Sequence, residues 1–588
     1  MSAAVIDAPP TGSIPVRRRS DLPALVPLVL GSALVAVALS ERIDPNGLGG
    51  SGTVGALSPV LWPGLVLIMA AAVLAVVRRA RAATSWAVAL VAATVVFGYQ
   101  SLLYPIARGP ITWLHWGMVD QLMIDGQTLE NYDTRFSWPG FFAGVAAIAR
   151  AGGIEDPAAL LRWAPLVLGV LSVLAARSLL RSILEDDRLA WLATFLFIAA
   201  NAIAQNYFSP QATTYPLVLV LLTLVVRYGL KSSLRRGVPH VGSVRMRRFL
   251  PWAVLLGSLA LAPAHQLSPL FLILFLVVLA VLRRLSSWWL FLIPVGVVLL
   301  WWATGAQDFW VQQSDIILEG LQGGASASFG DNVTDRFVGD PARQALIAVR
   351  VAAAAVTIAL AGIGLLLMWR HKDRATWVLA GWSILPFGLV AVQSYGGEMA
   401  LRCFLFALPG MSAAGALALG ALLNAAARRD VRAGGRARTL VAGGAVAALL
   451  SGLLAANVAV RGQDDSYYAF SDVDLEVSQQ AYDLPGDIET IGGLTAYYPE
   501  KYEHIADITQ VSLASRCSVS DTSIGCLLEQ APSRIVISPA SDNYGVVLQG
   551  LPEGWTDTVA RSLVASGRYD IVWHEEGAWV LDWVEDPS

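Results

Sequence analysis

The chain has 588 residues, 55% of them hydrophobic and 14% charged, with a formal net charge of −3. Soluble domains carry roughly 25% charged residues, so a soluble chain is excluded; the mean hydropathy is +0.57. Apolar runs of about 17–25 residues, the length an α-helix needs to cross hydrocarbon, recur along most of the sequence, and open sheet edges are not satisfied in lipid, so the runs read as helices.

Residues 1–20 read as a disordered cytoplasmic N-terminus. Arg17, Arg18 and Arg19 precede the first apolar run as in a signal peptide. That run is long for a signal core and contains Pro23 and Pro27, so a retained helix is the better reading. The sequence predicts helical spans at 22–40, 59–77, 84–104, 162–182, 189–206, 212–230, 250–264, 269–282, 287–304, 345–369, 375–395, 401–424 and 439–458. The expected fold is an all-α polytopic membrane protein of about thirteen spans with a small C-terminal extracytoplasmic α/β domain. Its organisation is an N-terminal hairpin (21–83), a membrane domain (84–459) with long outer loops at 105–161 and 305–344, and a soluble domain (460–588).

With the N-terminus inside, the inner connections hold 26 of the 41 Lys and Arg residues and the outer loops nine. This asymmetry follows the positive-inside rule. The basic stretch Arg227–Arg248 then reads as a topology determinant near anionic lipid; no nucleic-acid motif accompanies it. From Arg461 onward, 22 of the 44 acidic residues face six basic ones. In this acidic tail Arg534–Ser538, Tyr569–Trp573 and Ala578–Trp583 read as strands and Trp555–Ser566 as a helix. Trp555, Trp573, Trp579 and Trp583 read mostly as its core, with a glycan-binding role as the alternative. Cys517 and Cys526 share one short loop and are expected to bond if the tail faces an oxidising compartment. Cys403, in an apolar run, reads as a small core residue.

Ionisable and amide groups near hydrocarbon are costly unless paired or wet, and here they collect in the outer connections. The loop after the third span alternates carboxylates and aromatics, with His115, Asp120, Asp125, Asp133, Arg135 and Trp138. The short apolar stretch Phe141–Arg150 reads as an interfacial segment beside a site. The turn Asn206-Tyr207-Phe208-Ser209-Pro210-Gln211 supplies phenol and amide groups, and Ala264-His265-Gln266-Leu267-Ser268-Pro269 supplies a histidine and an amide. A fourth segment places Glu398 and Arg402 four apart at the start of a helix. Four loops distant in sequence thus point to one site on the outer face.

A long outer loop with an acid just after a helix (Val119-Asp120), interfacial helices behind it and a soluble outer domain resemble the GT-C superfamily of membrane glycosyltransferases, over residues 84–424. Protein mannosyltransferases, aminoarabinose transferases and arabinofuranosyltransferases are of this kind. The chain departs from that plan in having two spans before the helix that would count as first. The resemblance implies an inverting transfer of a sugar from a polyprenyl-phosphate donor to an envelope glycan, lipid or protein acceptor. Such a displacement needs one base for the acceptor hydroxyl, because phosphate already leaves well; a glycosidase would need two carboxylates. By analogy Asp120 is the candidate base and Asp133 the second choice. The alternatives are an acid that caps a turn or faces water for Asp120, and an ordinary turn residue for Asp133.

Arg402 offers a planar fork to the lipid phosphate, with Glu398 holding the guanidinium; the alternative is an exposed helical ion pair. His265 and Gln266 are candidates for phosphate or sugar hydroxyls, the alternative for His265 being an interfacial anchor. Tyr207 and Gln211 are candidates for sugar binding, or simply parts of a helix–helix turn. The Gly-rich stretch within Phe309–Pro341 is expected to act as a lid. No His/Cys cluster has metal-ligand spacing, although outer-loop carboxylates leave room for a divalent cation. Membrane lipids are the remaining expected partner, and nucleic acid is not one. The rival function classes are a multi-pass transporter or flippase of envelope precursors, which tends to show repeated halves and midplane polar groups, and a non-catalytic scaffold.

Overall fold

The computed structural model describes residues 20–184, 186–234, 244–310, 330, 334–373, 375–391, 397–433, 436–486, 488–517 and 524–584. Each expected span contains helix, although 201–206 of the span 189–206 is not helical and 392–395 of the span 375–395 lies outside the described residues. In chain order the helices are α1 (Leu22–Ala38), α2 (Leu61–Arg78), α3 (Ala82–Leu103), α4 (Pro110–Ile124), α5 (Gly140–Gly152), α6 (Ala158–Leu184), α7 (Asp187–Ala200) and α8 (Pro210–Leu224). There follow α9 (Val244–Leu261), α10 (Ser268–Val281), α11 (Leu292–Thr304), α12 (Pro341–Arg370), α13 (Thr376–Ile384), α14 (Met399–Ala433) and α15 (Ala437–Arg461).

The chain is a multi-pass membrane protein, but the number of crossings is not thirteen by helix length. Among the described residues seven helices are long and apolar enough to cross a membrane: α2, α3, α6, α8 with its π-turn extension, α12, α14 and α15. The others fall short for separate reasons. α7 has 14 residues, of which the last eleven are buried, so it is apolar all round because it lies inside the bundle. α9 begins with a basic turn. α13 gives way after Ile384 to 3-10 turns running to Ala391.

Without a hydrophobic force between helices in lipid, small residues must let backbones approach. Gly31 and Gly64 do so between α1 and α2: a Cβ on Gly31 would lie 2.8 Å from the Gly64 carbonyl. Gly364 of α12 does the same against the backbone at Ala414 of α14. Both α4 and α5 follow α3 and lie side by side.

Beyond α15 the chain forms α16 (Asp472–Asp483), α17 (Trp555–Ala565) and five strands: β1 (Thr490–Gly493), β2 (Thr509–Ser512), β3 (Arg534–Ile537), β4 (Tyr569–Glu575) and β5 (Ala578–Trp583). The sheet order is β2-β1-β3-β5-β4, with β1 parallel to β2 and β3 and the other two pairings antiparallel. Leu513, Ile535, Leu563 and Leu581 fill one side of it, and Trp555 and Trp579 are buried there too. Arg534 is fully buried; it pairs with Asp582 at 2.6 Å and donates to the Ala481 and Leu484 carbonyls at the end of α16. Cys517 and Cys526 are bonded, their Cα atoms 5.8 Å apart, and Cys403 is a buried free thiol.

The sheet domain sits directly on α4. Tyr502 and Ile505, in the connection from β1 to β2, share one apolar cluster with Trp113, Trp116 and Phe141. A Cβ on Gly117 would collide with the Lys501 carbonyl, so glycine is what allows this approach. Most of the expected lid lies outside the described residues.

Candidate active site

At the sheet-domain end of the bundle, the ends of α3, α6, α8, α14 and α15 and the α9–α10 turn surround a cavity of about 760 Å³. Its walls also take in α4, Arg336, Arg350 and, from the sheet domain, Ala496 and Tyr497. Among the described residues seven guanidinium groups line it, those of Arg108, Arg135, Arg162, Arg336, Arg350, Arg402 and Arg461, against two carboxylates, Glu398 and Asp464. That surplus of positive charge in a partly desolvated space favours an anion.

Tyr207, Gln211, His265, Gln266, Glu398 and Arg402 all line this one cavity. Ser209 caps α8, accepting from the Ala212 amide at 3.3 Å, and Pro210 follows at the first helical position. That arrangement suits an N-terminus and fixes Gln211 in the first turn. Gln211 Oε1 accepts from Arg402 Nη1 at 2.5 Å, while Arg402 Nη2 donates to Glu398 Oε2 at 2.7 Å. The guanidinium is thus held across two helices with its side chain 9% exposed, whereas Glu398 is 40% exposed. Among the described residues no hydrogen bond is made to the other Glu398 oxygen.

His265 closes the α9–α10 turn. Its Nδ1 accepts from the Ser268 amide at 3.1 Å, which leaves the proton of the neutral ring on Nε2. Burial, then the Arg402 charge, holds its pKa well below the usual imidazole value, so the ring is neutral near pH 7. His115 of α4 is buried as well and donates from Nδ1 to the Phe208 carbonyl at 2.9 Å. Burial and Arg135 lower it to about 3.

The two carboxylates proposed as bases do not line the cavity. Asp120 is half-buried on α4, where the backbone amide of His504 donates to it and burial raises its pKa. It faces the sheet domain rather than the cavity. Asp133 caps the turn Thr134–Ser137, accepting from the Arg135 amide at 2.8 Å, and pairs with the Arg135 guanidinium at 3.0 Å. Asp133 therefore positions Arg135, which does line the cavity.

Several cavity residues were not singled out from the sequence, among them Asp464, Tyr468 and Tyr497 beyond α15. Asp464 accepts from Arg343 Nε at 2.7 Å, from the Tyr467 hydroxyl at 2.9 Å and from Gln463 at 3.1 Å. Burial would raise its pKa, but Arg343 and Arg350 outweigh that and hold it below the usual carboxylate value. Asp465 is fully buried and accepts from Arg108, Thr53 and Gln100. Tyr468 lies under the Arg108 guanidinium, 5.5 Å from charge centre to ring centroid. The one sequence signal for this group was the run Asp464-Asp465 immediately after an apolar span. Among the described residues no group of three or more His, Cys, Asp or Glu residues is placed to hold a metal ion.

No protein-family model matches the chain, and no curated protein matches it in sequence. Solved structures do match in fold. ArnT from Cupriavidus metallidurans bound to undecaprenyl phosphate superposes with a TM-score of 0.53 at 13% identity, covering 86% of this chain and 98% of that one. The archaeal oligosaccharyltransferase AglB from Archaeoglobus fulgidus, in complex with an inhibitory peptide and a dolichol-phosphate, gives 0.48 at 12% identity over 80% of this chain and 71% of that one. The fold of the chain is thus that of the ArnT structure.

Proposed function

We propose that this chain is an inverting glycosyltransferase that moves a sugar from a polyprenyl-phosphate donor to an acceptor hydroxyl of an envelope glycan, lipid or protein. In this reading the N-terminus is cytoplasmic, and the cavity and sheet domain lie on the outer face. The observation that carries the proposal is the meeting of Arg402, Gln211, His265 and Glu398 in one cationic cavity at the ends of apolar helices. A lipid-linked phosphate entering from the bilayer would meet a guanidinium already oriented across α8 and α14, and the neutral His265 would offer Nε2–H. The undecaprenyl phosphate in the ArnT structure is the lipid class meant.

The step forms a bond from the acceptor oxygen to the anomeric carbon and breaks the bond from that carbon to the phosphate oxygen. The electron pair leaves on phosphate, where Arg402 and His265 stabilise it. The acceptor proton goes to a base. Of the two cavity carboxylates Asp464 is fully engaged and made more acidic by its neighbours; Glu398 has the unclaimed oxygen and the exposure to reach an acceptor. Glu398 is therefore assigned as the base, in preference to Asp120 and Asp133. Tyr207 and Gln266 are assigned to the sugar.

The test uses the purified full chain, with undecaprenyl phosphate binding and transfer from polyprenyl-phosphate sugars read separately. Arg402→Ala removes two charge-assisted hydrogen-bonding arms, each worth about 1.5–3 kcal/mol, and should weaken lipid-phosphate binding at least about tenfold. Glu398→Gln should abolish transfer while lipid binding persists, and Asp120→Asn should retain both. Loss of transfer in Asp120→Asn with lipid bound normally would return the base to α4 and refute this assignment.

A further inference from the structure

Arg461 and Arg350 raise a question that the donor phosphate does not answer. Arg461 is 3% exposed, yet it lines the cavity. Its Nε donates to Asn457 Oδ1 at 2.8 Å, Nη1 to Asn206 Oδ1 at 2.6 Å and Nη2 to the Asn201 carbonyl at 2.8 Å. All three partners are neutral, so the geometry of the guanidinium is fixed while its charge is not cancelled. Arg350 donates from Nη2 to the Val460 carbonyl at 2.8 Å, and its buried Nε has no partner among the described residues. The nearby acids are already engaged, Asp464 with Arg343 and Asp465 with Arg108. Burying two like charges side by side is costly unless an anion joins them.

This pair is separate from Arg402. Arg461 is bonded to Asn206 and Arg402 to Gln211, so the two guanidinium groups are held by different side chains. Tyr468 lines the same cavity, under the Arg108 guanidinium.

We propose that Arg461 and Arg350 form a second oxyanion subsite in the same cavity, which binds a phosphate or carboxylate carried by the acceptor. The inference rests on the function proposed above in naming the acceptor, but the subsite itself does not require it. The same chemistry could instead come from the donor, as the second phosphate of a diphosphate-linked lipid. Arg350 is the residue to vary, because Arg461 also ties Asn201, Asn206 and Asn457 together and its loss could unfold the site.

The experiment is equilibrium dialysis of radiolabelled inorganic phosphate against the purified full chain, with and without saturating undecaprenyl phosphate, in wild type and Arg350→Gln. Undecaprenyl diphosphate is compared with the monophosphate in parallel. The expected result is phosphate binding that persists when undecaprenyl phosphate is bound and weakens about tenfold or more in Arg350→Gln, with monophosphate affinity unchanged. If undecaprenyl phosphate displaces inorganic phosphate, and the diphosphate binds more tightly than the monophosphate only while Arg350 is present, the subsite belongs to the donor and the acceptor assignment is overturned. If Arg350→Gln changes none of these affinities, the guanidiniums are structural and the proposal fails. Inorganic phosphate binding that depends on Arg350 in a chain that does not bind undecaprenyl phosphate would support the subsite and refute the donor assignment instead.

Discussion

The seating of the sheet domain on α4 can be tested with two glycines. Gly117 and Gly144 lie in the adjacent helices α4 and α5, and alanine at either gains about 1 kcal/mol of helix propensity. Around Gly144 a Cβ would meet nothing within 4 Å, so Gly144→Ala should leave only the gain. At Gly117 the Cβ would strike the Lys501 carbonyl, a backbone atom that cannot rotate away. Overpacking costs about 1–3 kcal/mol, and helix propensity cancels between the docked and lifted states, so Gly117→Ala should weaken the docking by about 2 kcal/mol. At about 1.4 kcal/mol per tenfold, the equilibrium for lifting the β1–β2 connection off α4 should shift about 30-fold. Hydrogen exchange in detergent reads this directly: amides around Tyr502 and Ile505 should exchange about 30-fold faster in Gly117→Ala and unchanged in Gly144→Ala. Equal protection in the two variants would mean that the connection does not rest on Gly117.

Glu500 makes the same region pH-sensitive. Burial pushes its pKa from 4.5 up to about 7, with Lys501 and Tyr498 acting the other way. A raised carboxyl pKa means that the folded state keeps its proton longer than the unfolded chain. Stability is therefore highest below about pH 4.5, falls by roughly 3 kcal/mol as pH rises to 7, and stays level above. Thermal unfolding of wild type and Glu500→Gln from pH 4 to 8 should show that fall only in wild type; parallel curves would rule it out. The Cys517–Cys526 bond closes a loop of about ten residues and should contribute roughly 2–3 kcal/mol. In intact cells, maleimide should label these two cysteines only after reduction, and labelling without reductant would contradict an oxidising location for the sheet domain.

The positions of the helices were legible because a continuous apolar run admits one structure in lipid. Their number of crossings was not, since α7 is as apolar as a span while lying among its neighbours with 14 residues. In the sheet domain β3, β4 and β5 stood out as β-branched and aromatic runs. β1, Thr-Ile-Gly-Gly, did not, because half of it is glycine with little β-propensity; a Cβ on Gly492 would lie 2.7 Å from Pro532, which shows why. α16 carried a readable start, Ser471 and Asp474 as a capping box, that hydrophobic patterning alone did not reveal.

The polar turns converged as the sequence implied, yet the emphasis on Asp120 did not carry over to the cavity. The reason is rotational. His115 and Asp120 are five residues apart, about 140° around a helix, so an α4 that turns His115 into the cavity must turn Asp120 elsewhere. Sequence spacing fixed that angle between them but gave no sign of which face of α4 was wet. Arg461 was similarly hidden: at the end of an apolar span it reads as a boundary residue, and only the folded bundle brings Asn201, Asn206 and Asn457 around it.

The fastening at Asp465 bears on how the protein is made. Thr53, from the connection between the first two helices, Gln100 from the third and Arg108 just beyond it all hold a carboxylate that is made only after nearly four-fifths of the chain. Early segments insert first during synthesis, so this clasp closes late, and Arg461, Asp464 and Tyr497 reach the cavity only then. A nascent chain stalled before α15 has Arg402 and His265 but no finished chamber.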